Sequence, residues 1–179
     1  ISDQGQPHRG AIVVAAAERV SDDVVNFMAT HARGLVGLAL LPNQSRDLGL
    51  EFQASEHGPD AMRYTVSIEA RNGVSTGISA ADRAQTIRVA ANYHSRPESL
   101  VTPGHIFPAV ANVSGLMANR GWAEAGIDLA RISGLRPVAA FCQVLDDDGE
   151  LAQGETLLRF AEDQGLPSVT VDGLIAHRM

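Results

Sequence analysis

Between Ala11 and Val171 short, β-branched apolar runs alternate with segments that carry helix caps, and this alternation restricts the chain to a sheet with helices packed against it. Residues 11–17, 35–41 and 137–145 are apolar enough to read as buried strands, and the second is closed by Pro42-Asn43. Residues 64–70 alternate Tyr, Val and Ile with Thr, Ser and Glu, the period of a half-exposed strand. Ser21-Asp22-Asp23 caps a helix over 24–31 that Gly34 ends, and Ser79 caps another over 79–92 with Asp82 in its first turn. Further helices are expected over 124–133, before Gly134, and over 155–164, with Gly165 as C-cap. Two prolines and Gly104 make 101–108 an irregular, ordered loop, and 168–171 leads into a last short strand or helix. Strands and helices alternate without internal repeats. The expected class is α/β (α+β), one domain over 1–179 with a mixed sheet, and residues 1–10 are expected to be flexible.

Composition excludes several functions. With 45% hydrophobic residues, the 179-residue chain has material for one sizeable core. Net charge is −7 with the acidic residues dispersed, which disfavours polyanions and removes nucleic acid as a partner. All 14 basic residues are arginine, so lysine Schiff-base chemistry is impossible. Cys142 is the single cysteine, which rules out an intrachain disulfide and a cysteine-held zinc and fits a reducing, cytoplasmic setting. No apolar run reaches the roughly 20 residues of a membrane span, and the first residues lack the regions of a signal peptide.

Three motifs stand in register. Gly73-Val74-Ser75-Thr76-Gly77-Ile78-Ser79-Ala80-Ala81-Asp82-Arg83 resembles the Gly-Val-Thr-Thr-Gly-Ile-Ser-Ala-Ala-Asp-Arg signature of the 3,4-dihydroxy-2-butanone 4-phosphate synthases. Pro103-Gly104-His105-Ile106-Phe107-Pro108 is similar to the family's Pro-Gly-His-Val-Phe-Pro, and Gly134-Leu135-Arg136-Pro137 through Cys142 to Asp147-Asp148-Gly149 to a third family stretch. The resemblance implies an α/β fold, a homodimer with pockets near the subunit interface, and a place in riboflavin biosynthesis. It also implies conversion of ribulose 5-phosphate to dihydroxybutanone phosphate and formate with magnesium or manganese, chemistry that needs acids, bases and a metal.

At several motif positions the chain departs from the family pattern. Gln6-Pro7-His8-Arg9-Gly10-Ala11 aligns with the acidic loop Arg-Glu-x-Glu-Gly-Asp and brings no carboxylate. Asn119-Arg120-Gly121-Trp122-Ala123-Glu124-Ala125 aligns with Arg-Gly-Gly-His-Thr-Glu-Ala, so tryptophan stands at the metal-binding histidine, alanine at the threonine, and Glu124 is the one functional side chain retained. Gln143 takes the place of a catalytic glutamate, Gly37 that of a cysteine near the substrate, and Thr102 that of an arginine. Divalent cations prefer oxygen ligands with some imidazole, so the expectation is that no cofactor is used and that no magnesium or manganese site remains.

Among the retained polar residues, His105 is a candidate acid or base, or a loop histidine bonded to backbone. Asp82 and Glu124 are catalytic candidates with the alternative of first-turn carboxylates. Ser75, Thr76, Arg83, Arg120, Trp122 and Gln143 are candidates for contacting substrate, Trp122 as an apolar wall or as a plug. Cys142 reads as core, His31 as a helix-end cation, and His8 and Arg9 as a lid or a frayed segment. Three functions follow. The leading one is a repurposed, metal-independent lyase, dehydratase or cyclase of secondary metabolism acting on a less polar, unphosphorylated small molecule. A non-catalytic homologue that binds or regulates a partner, and the synthase activity itself, are the alternatives.

Overall fold

The computed structural model describes residues 1–6, 9–54 and 62–178. Five strands, β1 (Ile12–Ala16), β2 (Arg33–Leu40), β3 (Ile68–Ala70), β4 (Leu100–Val110) and β5 (Ala139–Val144), form one sheet in the order β1-β5-β2-β4-β3. Because β5 is antiparallel to β1 and β2, β4 parallel to β2 and β3 antiparallel to β4, the sheet is mixed, as expected. Six α-helices accompany it among the described residues: α1 (Asp22–Phe27), α2 (Pro42–Asp47), α3 (Ala80–Ala91), α4 (Trp122–Ile132), α5 (Gly154–Asp163) and α6 (Val171–Arg178).

Alternation along the strands sorts the core into two layers. Val36, Leu38, Leu40, Ile106, Ala140 and Cys142 face α1 and α3, which contribute Val25, Ala84, Ile87 and Ala90. Ala39, Ala109, Ala139, Phe141 and Ile12 face α4 and α6, which contribute Trp122, Ile127, Val171 and Leu174. The helix α4 crosses where the strands carry alanine, and a Cβ at Gly126 would sit 3.1 Å from that of Ala139. Small residues on both surfaces therefore set this close approach.

Four expectations need correction. Pro42-Asn43 does not merely close β2: Pro42 occupies the first turn of α2, where its missing N–H costs nothing. Gly34 is not the end of the first helix. That helix continues through a π-helical turn, Met28–Ala32, and the left-handed residue is Arg33, at φ 70°. Gly34 meets a different need, since a Cβ there would lie 2.3 Å from the Gln143 carbonyl oxygen.

Residues 101–108 are not a loop but part of the eleven-residue β4. The register between β3 and β4 jumps between Ile68 and Glu69, so the Pro-Gly-His stretch bows out as a bulge, with a cis bond at Thr102-Pro103. Bulges and sheet edges are where strands tolerate proline, which is why turn chemistry and strand coexist here. Nor does the N-terminus fray throughout. Ser2 bridges Ala11 and Thr170, and Ile12 N–H donates to the Ile1 carbonyl at 2.9 Å. Pro7 and His8 lie outside the described residues.

Candidate functional site

Two groups of polar residues flank β4. The first surrounds the start of α4, where a cavity of about 170 Å³ is lined by Arg9, Arg63, Asn112, Asn119, Trp122 and Glu124 among others. Gly121 is the N-cap and offers no side-chain acceptor, so the helix opens onto the cavity uncapped. Trp122 is buried, and the Arg9 guanidinium lies 5.3 Å above its ring. Glu124 is buried too. One of its oxygens accepts from Asn112 N–H at 2.8 Å, while one helical turn later Asp128 accepts from Leu116 N–H at 2.8 Å. These two carboxylates hang the segment after β4 on α4.

The second group is centred on His105. Its Nδ1 lies 2.8 Å from Glu69 Oε2, and the other Glu69 oxygen is buried with no partner among the described residues. The bulge in β4 delivers His105 to β3, and Gly104 makes that crossing possible, since its Cβ would collide with the Ile68 backbone at 2.1 Å. Behind Glu69 sits the motif turn. Gly77, at φ 84°, packs so closely that a Cβ would meet the carboxylate, and its N–H donates to Asp82 at 2.9 Å. Ser75 Oγ donates to the same Asp82 oxygen at 2.9 Å, and Ser79 Oγ caps the helix by accepting from Asp82 N–H. Burial pushes the Asp82 carboxyl up, but the bonds from Ser75, Gly77 and Ser79 prevail and hold it below the ordinary value.

The structure thus gives several candidates other work. Asp82 and Ser75, expected as catalytic and substrate-contacting residues, are bonded to each other and shape the turn behind Glu69. Arg120, expected to contact substrate, is committed to Asp172 at 2.8 Å and Asp3 at 2.6 Å, which raise its already high pKa. Arg83 keeps a buried Nε without an acceptor among the described residues and lies near enough to Cys142 to act on it electrostatically. Thr76 is exposed at the tip of the turn. Gln143 is half-buried on β5, opposite Ile12. Cys142 is core, and burial pushes its thiol up to about 11. His31 lies against Phe27, with ring centroids 4.9 Å apart. Of the candidates, only Trp122 and Glu124 line the cavity, and His105 does not.

Sequence reading missed Glu69 and Arg63. The first looks like an outward residue of a half-exposed strand, yet a glutamate between Ile68 and Ala70 in a buried three-residue strand is a signal for a paired function. Arg63 precedes Tyr64 without any motif. Arg9, expected as a lid or a frayed residue, is described and donates from Nη1 to the Arg120 carbonyl.

The family model of 3,4-dihydroxy-2-butanone 4-phosphate synthase matches residues 1–177, and the chain belongs to that family. It is 43% identical over 167 residues to the synthase of Neisseria meningitidis, covering 93% of this chain and 46% of that protein. Among solved structures it resembles a two-domain synthase from A. baumannii, at TM-score 0.92 and 39% identity, covering 99% of this chain and 52% of the other. A synthase crystallised with two magnesium ions superposes with TM-score 0.90 at 34% identity, covering 99% and 88%. The chain spans about half the length of the Neisseria and Pseudomonas relatives it matches.

These matches overturn two expectations. Proteins this similar over nearly the whole chain carry the name of the ordinary synthase, so a repurposed enzyme of secondary metabolism acting on an unphosphorylated molecule is not supported. The absence of a cofactor is corrected as well, because a member of the family holds two magnesium ions and the departures at motif positions do not establish metal independence. The described residues nevertheless do not fit such an ion. No three His, Cys, Asp or Glu side chains converge among them, Glu124 is the only carboxylate among the described residues that line the α4 cavity, and a guanidinium already sits over Trp122. A second cation there meets like charge and too few oxygens. No helix among the described residues is long and apolar enough to cross a membrane.

Proposed function

We propose that the chain catalyses the 3,4-dihydroxy-2-butanone 4-phosphate synthase reaction, taking ribulose 5-phosphate to dihydroxybutanone phosphate and formate. The observation that carries this reading is the family match over residues 1–177, with 43% identity to a synthase. The reaction begins with removal of a proton beside a carbonyl, which asks for a positioned base of near-neutral pKa. His105 meets the requirement in geometry. Glu69 binds Nδ1, Nε2 has no partner among the described residues, and the half-exposed ring can reach a ligand. In this reading His105 moves the proton and Glu69 fixes the ring. The site differs from the family motifs at positions 37, 122 and 143, so its polar groups come from elsewhere in the chain. A homodimer in the cytoplasm completes the proposal; the exposed apolar side chains of Leu35, Phe52 and Ile78 are surface that a second copy would cover.

Incubation with ribulose 5-phosphate and magnesium, followed by enzymatic detection of formate, tests the reading. Steady formate release that is lost in His105→Asn is expected. Absence of release at saturating substrate and metal overturns it. One observation favours a second reading, a non-catalytic homologue: Trp122, 3% exposed, puts a buried apolar ring at the start of α4 where the family resemblance places a metal-binding histidine. That reading is the one left standing if no formate appears.

A further inference from the structure

His105 and Glu69 meet where the ladder between β3 and β4 is interrupted: Ile68 faces Ile106 but Glu69 faces Val101, so residues 102–105 stand outside the register. A bulge takes backbone groups out of the ladder, and the segments on either side of the pair need other anchors. Two hydroxyl groups supply them. Beside His105, Gly104 N–H donates to Ser67 Oγ at 3.1 Å. Beside Glu69, Ala70 N–H donates to Thr86 Oγ1 at 3.0 Å. Strand β3 is the last of the sheet, and Arg71 N–H donates to the Ser99 carbonyl just before β4. Backbone groups alternate in direction along a strand, so Ala70 N–H points away from β4, toward α3. There Thr86 is 1% exposed, and its own proton goes to the Asp82 carbonyl at 2.9 Å, which leaves lone pairs on the oxygen for Ala70.

We infer that Ser67 and Thr86 are positioning residues for proton transfer at His105. Ser67 fixes the bulge that carries the imidazole, and Thr86 fixes the strand that carries the carboxylate. Their effect is on which ring nitrogen is free. An ionised carboxylate only accepts hydrogen bonds, so Glu69 at Nδ1 holds the proton on that nitrogen and leaves Nε2 bare. A general base works through such a bare nitrogen. When the two segments drift apart, the half-exposed ring trades Glu69 for water, both tautomers populate, and only a fraction of the molecules can take up a proton. Alanine or valine at either position would fill space but leave an N–H without its acceptor, so the hydroxyl itself is what the geometry requires. The inference rests on the proposed function only for the reaction that uses the pair.

Nitrogen-15 shifts of labelled histidine rings, with His105 assigned by its absence in His105→Asn, show which nitrogen carries the proton. In the neutral ring the parent is expected to hold a single tautomer, protonated at Nδ1. Thr86→Val and Ser67→Ala should each move the ring toward a mixture of tautomers and lower kcat about 3–10-fold with KM within about twofold of the parent. Thr86→Ser and Ser67→Thr should restore both readouts. Assays run well below the Tm of every variant separate positioning from loss of folded protein, and Ser67→Ala carries the test by itself where Thr86→Val does not fold. An unchanged Nδ1 tautomer in the variants that lack a hydroxyl overturns the inference. So does a loss in Thr86→Ser equal to that in Thr86→Val, which assigns the effect to packing. Tautomer shifts in a protein whose parent releases no formate keep the positioning and remove the proposed reaction. Formate release at the parent's kcat in both variants, with the tautomer unchanged, does the reverse.

Discussion

Glu69 shows how much one side chain depends on its surroundings. It is 9% exposed, pairs with His105 through one oxygen and presents the other to a turn whose glycine leaves no space for a methyl group. Substituting Gln keeps the shape and removes the charge, so Glu69→Gln is expected to lower kcat about 10–100-fold, at or below the low end of acid–base contributions because Glu69 acts through His105, and to leave the fold intact. Parallel kcat measurement and circular dichroism check this. Asp82 gives a pH prediction. Its folded pKa is depressed, so its contribution to stability is complete above the ordinary value of about 3.9 and disappears as pH falls through the lower folded value. Asp82→Asn should therefore lower Tm at pH 7, and the gap from the parent should close as thermal melts move below about pH 4.

At the scale of elements, the decisive contacts are steric. Phe141 on β5 fills the space above Gly37 on β2, and a Cβ at position 37 would fall 2.3 Å from the ring. Gly37→Ala is expected to cost about 1–3 kcal/mol by overpacking, and Phe141→Leu about 1–2 kcal/mol by lost contact. The double variant should cost at least about 1 kcal/mol less than the sum, a coupling that urea melts of all four proteins measure. This pair also accounts for the glycine at a position where the family resemblance leads one to expect cysteine, since ring and thiol compete for one volume. The bulge in β4 is the other element-scale device. Without it the Pro-Gly-His stretch would pair regularly with β3, and His105 would not be carried to Glu69.

Across the whole molecule, buried charge ties distant segments together. Asp128 is fully buried and bonds Leu116 N–H, Arg131 at 3.2 Å and Arg178 at 2.6 Å, which fixes α6 and the segment after β4 to α4. Arg120 does the same for Asp3 and Asp172. Asp128→Asn is expected to cost about 3 kcal/mol, at the low end for a broken buried pair because both arginines keep some contact with water. Amide exchange should then show α6 opening before the sheet. Association belongs to this scale as well. Sedimentation velocity between about 1 and 100 μM should give a dimer, and Leu35→Asp should shift it toward monomer, with a charge placed among apolar side chains.

Much of the strand and helix placement was legible from the chain because it follows from local chemistry such as β-branched runs and serine caps, but β4, whose prolines sit at a bulge, and α2, which Pro42 opens, were not. The mixed sheet packed by helices followed from alternation and composition. Family membership was legible for the same reason, since residues 73–83 and 103–108 are contiguous motifs. What the sequence could not determine is how partners distant along the chain are matched. His105 and Glu69 are 36 residues apart, and Arg9 reaches Trp122 across more than a hundred, so motif reading could not show that Glu69 meets His105, that Asp82 bonds Ser75 or that Arg120 pairs with Asp3 and Asp172. A side chain's ionic or catalytic role depends on which charges and rings the fold brings to it, and only the packing of β3 on β4 and of the N-terminal segment on α4 decided that.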